Sequence, residues 1–173
     1  AFRWRWLAAV ILLISLWPVA AEWEGMLYPR GEAFQARIEK MADAVALREA
    51  ALAIQKLPEG GVLAPWWFCP AIVWWSGKPC VGGTSHQSLP GIVDSCRFYL
   101  ASDDAAAREI LRQRKVGYVV AYEPERVISN SSQILGEKSN GGTLAERLYK
   151  NSPPPWLEPL FQNRFFRVYR VAD

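Results

Sequence analysis

The sequence predicts an α/β domain with a small, mostly parallel sheet flanked by helices, preceded by one N-terminal transmembrane helix. Three observations carry that expectation. A charge-free apolar run occupies Trp6 to Ala21. Behind it, segments of helical periodicity alternate with short apolar segments, which is the pattern of layered α/β architectures. Hydrophobic residues make up 51% of the 173, enough to bury a sizeable core, so global disorder is excluded. The length suits about one globular domain. The expected division is a transmembrane helix over residues 3–23 and an extracytoplasmic α/β domain over 24–173.

Charge narrows the function classes. Lys and Arg number 20 against 17 Asp and Glu, a net charge of +3. The cations are scattered rather than gathered on one segment, so no nucleic-acid partner is expected. Nine tryptophans are the unusual feature. Tryptophan favours sites where one edge is apolar and the other wet, such as interfaces and membrane boundaries.

At the N-terminus, Arg3 and Arg5 precede the apolar run, and Glu22 and Glu24 follow it. The run is somewhat short of the ~20 residues that span a bilayer. Trp4, Trp6, Trp17 and Trp23 extend it as interfacial anchors in contact with membrane lipid, which favours a retained helix. The rivals are a secretory signal, with the small residues Val19 and Ala21 ahead of Glu22, and a buried soluble helix. The first residue is Ala rather than Met, which leaves room for a longer chain upstream. The positive-inside rule puts Arg3 and Arg5 in the cytoplasm and everything after Glu22 outside it, on the periplasmic side.

Residues 22–31 read as a linker. From Glu32 to Leu57 the spacing predicts one long core-covering helix, with Phe34, Ile38, Met41, Val45 and Leu52 at helical intervals. Pro58 and Gly60-Gly61 stop it. Val62-Leu63-Ala64 is a short buried strand. Pro65 and Pro70 bracket Trp66-Trp67 and force irregular backbone there. Ala71 to Trp75 is a short helix or strand, Ser76 to Pro79 a turn, Cys80-Val81 a brief strand, and Gly82-Gly83 opens a loop to about Ile92. Ser102 or Asp103 caps a helix from Asp104 to Lys115, whose acids and bases suit the macrodipole. Tyr118 to Tyr122 is the clearest strand, and with that helix looks like half of a βαβ unit. Glu125 to Asn140 is polar and carries no clear period. Thr143 to Tyr149 is a short helix, Asn151 to Pro155 a stiff linker, Trp156 to Phe161 a packed apolar segment, and Phe165 to Val171 a terminal strand.

The ordered features resemble a known family. A transmembrane exit is followed by a long helix and a strand ending in Trp66-Trp67. Then come Ile72-Val73-Trp74-Trp75-Ser76-Gly77-Lys78-Pro79, Cys80-Val81-Gly82-Gly83-Thr84-Ser85-His86, Gly91-Ile92-Val93-Asp94, and a helix leading into Lys115-Val116-Gly117-Tyr118-Val119-Val120. Phe165-Phe166-Arg167-Val168-Tyr169-Arg170-Val171 closes the set. Together they resemble the C-terminal extracytoplasmic domain of GT-C type, oligosaccharyltransferase-like membrane glycosyltransferases, over most of residues 22–173. In oligosaccharyltransferases a Trp-Trp-Asp-Tyr-Gly signature contacts the acceptor sequon. Trp66 and Trp67 match its first two positions; Phe68, Cys69 and Pro70 stand where Asp, Tyr and Gly would. The resemblance therefore implies the fold, an extracytoplasmic position and an acceptor-facing groove for a glycan or peptide, not catalysis by this chain. The alternative is a single-pass structural subunit that stabilises a larger membrane complex.

The candidate binding or interface residues are Trp66, Trp67, Trp74, Trp75 and His86. Aromatic faces suit sugars and peptides, and adjacent Trp residues on a strand would point to opposite faces; packing of the sheet against the long helix is the competing role. The intervals among Cys69, Cys80, His86 and Cys96 do not follow zinc spacing, so no metal and no cofactor is expected. The three cysteines allow one disulfide with a spare thiol, or three buried thiols, and spacing does not choose the pair. Cys80, His86 and Asp94 share a region that could hold a nucleophile, but a histidine bonded to loop backbone explains His86 as well. Gly136 to Thr143 nearly spells a phosphate loop, with Gly142 where the lysine is required. Asn130-Ser131-Ser132 is a formal glycosylation sequon.

Overall fold

The computed structural model of the chain describes residues 2–139, 141–150 and 152–172, excepting the side chains of residues 2–5, 21, 24 and 86. The chain divides into two compact units, Ala1–Asp43 and Ala44–Asp173.

The first unit holds α1 (Phe2–Leu27) and the start of α2 (Glu32–Gln55). From Trp6 to Leu27, α1 is long and apolar enough to cross a membrane, at about 33 Å for 22 residues. Trp6, Trp17 and Trp23 stand exposed along it; the Trp4 side chain lies outside the described residues. The helix continues through Glu22–Leu27, where a linker was expected, and only residues 28–31 break it. No proline stands between Pro18 and Pro29, so nothing stops the helix at Glu22. Arg37 then donates from Nη1 to the Met26 carbonyl oxygen at 3.2 Å, satisfying one of the free carbonyls at the end of α1.

The expected core face of α2 is corrected. Phe34, Ile38, Met41 and Val45 are exposed. The residues that α2 buries are Ala46, Leu47, Ala50, Ala51 and Ile54, all in its second half. Three alanines let this half of the helix approach closely while Leu47 and Ile54 fill the core, whereas Phe34, Ile38 and Met41 lie in the first half, where no residue is buried.

In the second unit, four strands form one sheet in the order β1-β2-β4-β3: β1 (Gly61–Leu63), β2 (Val116–Ala121), β3 (Leu157–Gln162) and β4 (Arg167–Val171). β1 and β2 are parallel, while β2–β4 and β3–β4 are antiparallel. The sheet is therefore mixed, not mostly parallel. The cause is the short connection after Gln162. Parallel strands need a crossover of about a dozen residues or more, and only residues 163–166 separate β3 from β4. Asn163 organises that turn by accepting from the Phe165 and Phe166 amides, and its own amide donates to the Ala46 carbonyl oxygen on α2. β3 tolerates Pro159 because it is an edge strand with a register shift there.

Three helices lie between β1 and β2: α3 (Cys69–Ser76), α4 (Leu89–Leu100) and α5 (Asp104–Gln113). The expected βαβ relation holds with this longer crossover. Asp103 caps α5 by accepting from the Ala105 and Ala106 amides. After β2 come α6 (Pro124–Leu135) and α7 (Leu144–Tyr149). Thr143 and Glu146 close a reciprocal capping box on α7. The core gathers Leu63, Val119, Val120 and Tyr169 from the sheet with Ile54, Ile72, Phe98, Leu111 and Leu148 from the helices. Each such side chain contributes roughly 1.5–3 kcal/mol on burial. Three buried hydroxyls are satisfied by carbonyls: Tyr99 donates to that of Val120 at 2.5 Å, Tyr169 to that of Leu148 at 2.6 Å, and Ser95 to that of Ala64 at 2.8 Å, while the Ser132 hydroxyl on α6 is buried without a partner among the described residues.

Candidate functional site

The site is built where β1 ends. Pro65 cannot continue a ladder, and Pro70 fits the first turn of a helix, where its missing N–H costs nothing. Between them Trp66–Phe68 folds into a single 3₁₀ turn, with the Phe68 amide donating to the Pro65 carbonyl at 2.9 Å. The first Trp pair is thus on a turn rather than on a strand. The two indoles stand edge to face, 5.9 Å apart at 88°. Trp66 Nε1 donates to Asn130 Oδ1 at 2.8 Å, which fixes the ring against α6.

The next residues turn inward. Phe68 packs edge-on against Tyr122 and Phe166, at 4.9 and 5.2 Å. Cys69 is buried and bonded to Cys80, with Cα atoms 5.6 Å apart; Cys96 is the free thiol. The segment carrying Cys80 lies alongside β1: Val62 N donates to the Pro79 carbonyl and Val81 N to that of Val62, at 2.8 and 2.9 Å. This segment backs Trp66. A Cβ on Gly82 would sit 3.1 Å from Trp66 Cβ and 3.6 Å from Cys69 Sγ, and a Cβ on Gly91 would overlap the Val81 carbonyl oxygen. Residues 79–82 are therefore wedged between the Trp66 turn and the start of α4, with the disulfide alongside.

On its outer side the turn faces α6. A groove of about 480 Å³ is lined by Trp66 and Trp67 on one wall and by Glu125, Arg126, Ser129, Asn130 and Gln133 on the other. These positions fall on one face of α6, while Val127 and Ser131 are buried on another. Arg126 donates to the Tyr122 hydroxyl at 2.6 Å.

The other residues singled out from the sequence do not join this groove. Trp74 is 78% exposed on α3. Trp75 is half-buried beneath the Arg48 guanidinium, 4.7 Å from its ring centre. The His86 side chain lies outside the described residues; its backbone sits in a short 3₁₀ turn, His86–Ser88, before α4. Cys80 is in a disulfide and Asp94 is bound by Arg114 at 2.5 Å, so a Cys80/His86/Asp94 nucleophile is not assembled. Among the described residues no group of His, Cys, Asp or Glu is gathered to hold a metal ion. The loop that resembled a phosphate-binding sequence uses Thr143 to cap α7. The sequon is helical: Asn130 is bonded to Trp66, and Ser131 is buried. Burial pushes the Cys96 thiol up, partly offset by its hydrogen bond with Ser131.

Apart from Asn130, the α6 wall was not identified from sequence as a site. Its signals were Pro124 with Glu125 in a first turn and Gly136 just after the last one. The loop expected to run to Ile92 instead ends at α4, because Pro90 occupies its first turn.

Comparison with known proteins gives a fold. No family model matches the chain, and no curated protein matches it. Solved structures do. A crystal structure of the C-terminal globular domain of oligosaccharyltransferase from Archaeoglobus fulgidus superposes with a TM-score of 0.62 at 21% identity, covering 72% of this chain and 95% of that one. A second crystal structure of the C-terminal globular domain of oligosaccharyltransferase from the same organism gives 0.51 at 20% identity, covering 83% and 97%. The resemblance read from the ordered motifs thus holds in three dimensions, and this chain carries the fold of the oligosaccharyltransferase C-terminal globular domain.

Proposed function

We propose that the chain is a membrane-anchored, extracytoplasmic accessory domain of a membrane glycosyltransferase, in which the Trp66–Trp67 groove faces the acceptor. The groove is the observation that carries this reading: two indoles held at right angles on a half-buried turn, opposite a polar helix face. Three features support it. The fold is that of a domain from oligosaccharyltransferases. α1 is apolar and long enough to cross a membrane, and the sequence positions of Arg3 and Arg5 before it fit the positive-inside rule. The Cys69–Cys80 bond suits an oxidising compartment outside the cytosol. The domain contributes no catalytic group in this reading; it shapes a site whose chemistry is supplied elsewhere.

A specific observation favours a second reading. Phe68 and Cys69 stand where the related signature has polar groups, and both are committed to packing and cross-linking. A chain that kept the fold and lost acceptor contact would be a structural subunit of another membrane complex. Gentle extraction and affinity purification separate the two. Stoichiometric recovery with a sugar-transferring membrane protein, with transfer reduced by Trp67→Ala but recovery unchanged, is the expected outcome. Recovery with a complex that transfers no sugar overturns the proposal in favour of the structural subunit.

A further inference from the structure

The chemistry of the groove selects among ligands. On the α6 wall one carboxylate, Glu125, is followed by one guanidinium, Arg126, so the wall carries no net charge. Ser129, Asn130 and Gln133 add a hydroxyl and two amides, each able to donate and to accept. The facing wall is aromatic. An anionic ligand would meet Glu125 and a cationic one Arg126, so neither sign gains. An extended peptide gains most by adding to a sheet edge. Residues 79–81 cover the outer side of β1, so the open edge is β3, whereas the groove is lined by the Trp66 turn and α6. A ring with one apolar face and a rim of hydroxyls fits both walls: its C–H face lies on an indole and its hydroxyls meet the polar side chains. The right angle between the indoles offers stacking faces in two orientations. Because Asn130 Oδ1 accepts from Trp66, the Asn130 amide nitrogen is left as a donor.

We infer that the groove between the Trp66–Trp67 turn and α6 binds an uncharged saccharide, with the indoles as stacking platforms and Glu125, Asn130 and Gln133 as hydroxyl partners. The inference rests on the groove being the ligand-facing surface of the domain, and it names the ligand as a glycan rather than a peptide.

Saturation-transfer NMR on the full chain, solubilised in a zwitterionic detergent without a sugar headgroup, tests it. The probes are N,N′-diacetylchitobiose, mannobiose and lactose as neutral saccharides, sialyllactose as an anionic one, and a capped Asn-Ala-Thr peptide. At least one neutral saccharide is expected to receive saturation at its ring C–H protons, and sialyllactose and the peptide not to. Glu125→Gln and Gln133→Ala alter exposed side chains of α6 and leave the fold intact; each should weaken binding by about 3–10-fold, the value of one hydrogen bond. Trp66→Phe, which keeps an aromatic against Gly82, should weaken it further. Absence of transfer to every neutral saccharide overturns the inference. So does transfer that survives all three substitutions, and so does transfer to the peptide alone. Saccharide binding found without any recovered glycosyltransferase would leave the glycan site standing and sink the accessory-domain reading instead.

Discussion

Trp66–Trp67 and Trp74–Trp75 are chemically identical pairs separated by eight positions in the sequence, yet the fold treats them differently. The first pair lies on a turn pinned from behind by residues 79–82 and from the side by Asn130, and its rings wall a groove. The second pair lies on a regular helix. Trp75 is covered by Arg48, and Trp74 meets solvent over most of its surface. What separates them is not composition but what stands behind each ring. A ring with backbone behind it is held in one orientation and can be used for recognition; a ring on an open helix face keeps its rotamer freedom.

That contrast can be broken from behind. Gly91→Ala forces a Cβ into the Val81 carbonyl oxygen, so α4 or the 79–82 segment must move. A loss of about 3 kcal/mol or more is expected in chemical denaturation. In ¹⁹F spectra of the 5-fluorotryptophan-labelled chain the Trp66 resonance should shift while that of Trp74 stays. The Cys69→Ser/Cys80→Ser double variant removes a cross-link spanning 11 positions. Its expected cost is about 3 kcal/mol, with the Trp66 line broadened and the Trp74 line unchanged. If both lines respond alike in either variant, the pairs are not independently supported.

A smaller effect tests a contact that involves neither pair. Asp104 accepts from Arg147 Nη1 at 2.6 Å and from Trp156 Nε1 at 3.1 Å, and the Arg147 hydrogen bond first, then that of Trp156, holds its carboxyl below the usual range. A depressed carboxylate stabilises the fold above its ordinary pKa and loses that contribution as pH falls through the lowered value. Asp104→Asn should cost about 0.5–1 kcal/mol at neutral pH, since the pair is partly exposed. The difference from the parent should close in acid, as read by denaturation midpoints across pH. The least effect belongs to Trp74→Ser, expected within about 0.5 kcal/mol of the parent. A large loss there would mean that α3 uses its outer face for packing.

Legibility followed the strength of local signals. α5 and β2 are readable because Asp103 caps one and Tyr118-Val119-Val120 forms the centre of the other. α1 was readable from its lack of charge. The groove was half readable: the Trp pair was conspicuous, but the wall opposite it was not. On α6 only Val127 and Ser131 are buried, Ile128, Ile134 and Leu135 are half-buried, and the remaining polar residues face the groove or solvent. The mixed sheet was missed because β3 carries Pro159 and mostly exposed residues, which reads as irregular chain when no partner strand is in view. The disulfide could not be chosen from spacing, since the nearness of Cys80 to Cys69 depends on where residues 79–81 lie against β1.

The odd number of cysteines has a practical consequence. With two of three sulfurs joined, the chain keeps a single thiol, and Cys96 is buried on α4 with its hydrogen bond to Ser131 on α6. An alkylating reagent reaches it only when those helices part. Cys96 is thus an internal clock for the wall that carries the groove. Its labelling rate in the intact chain reads how often α4 and α6 separate, without any added probe, and a ligand that closes the groove onto α6 should slow it.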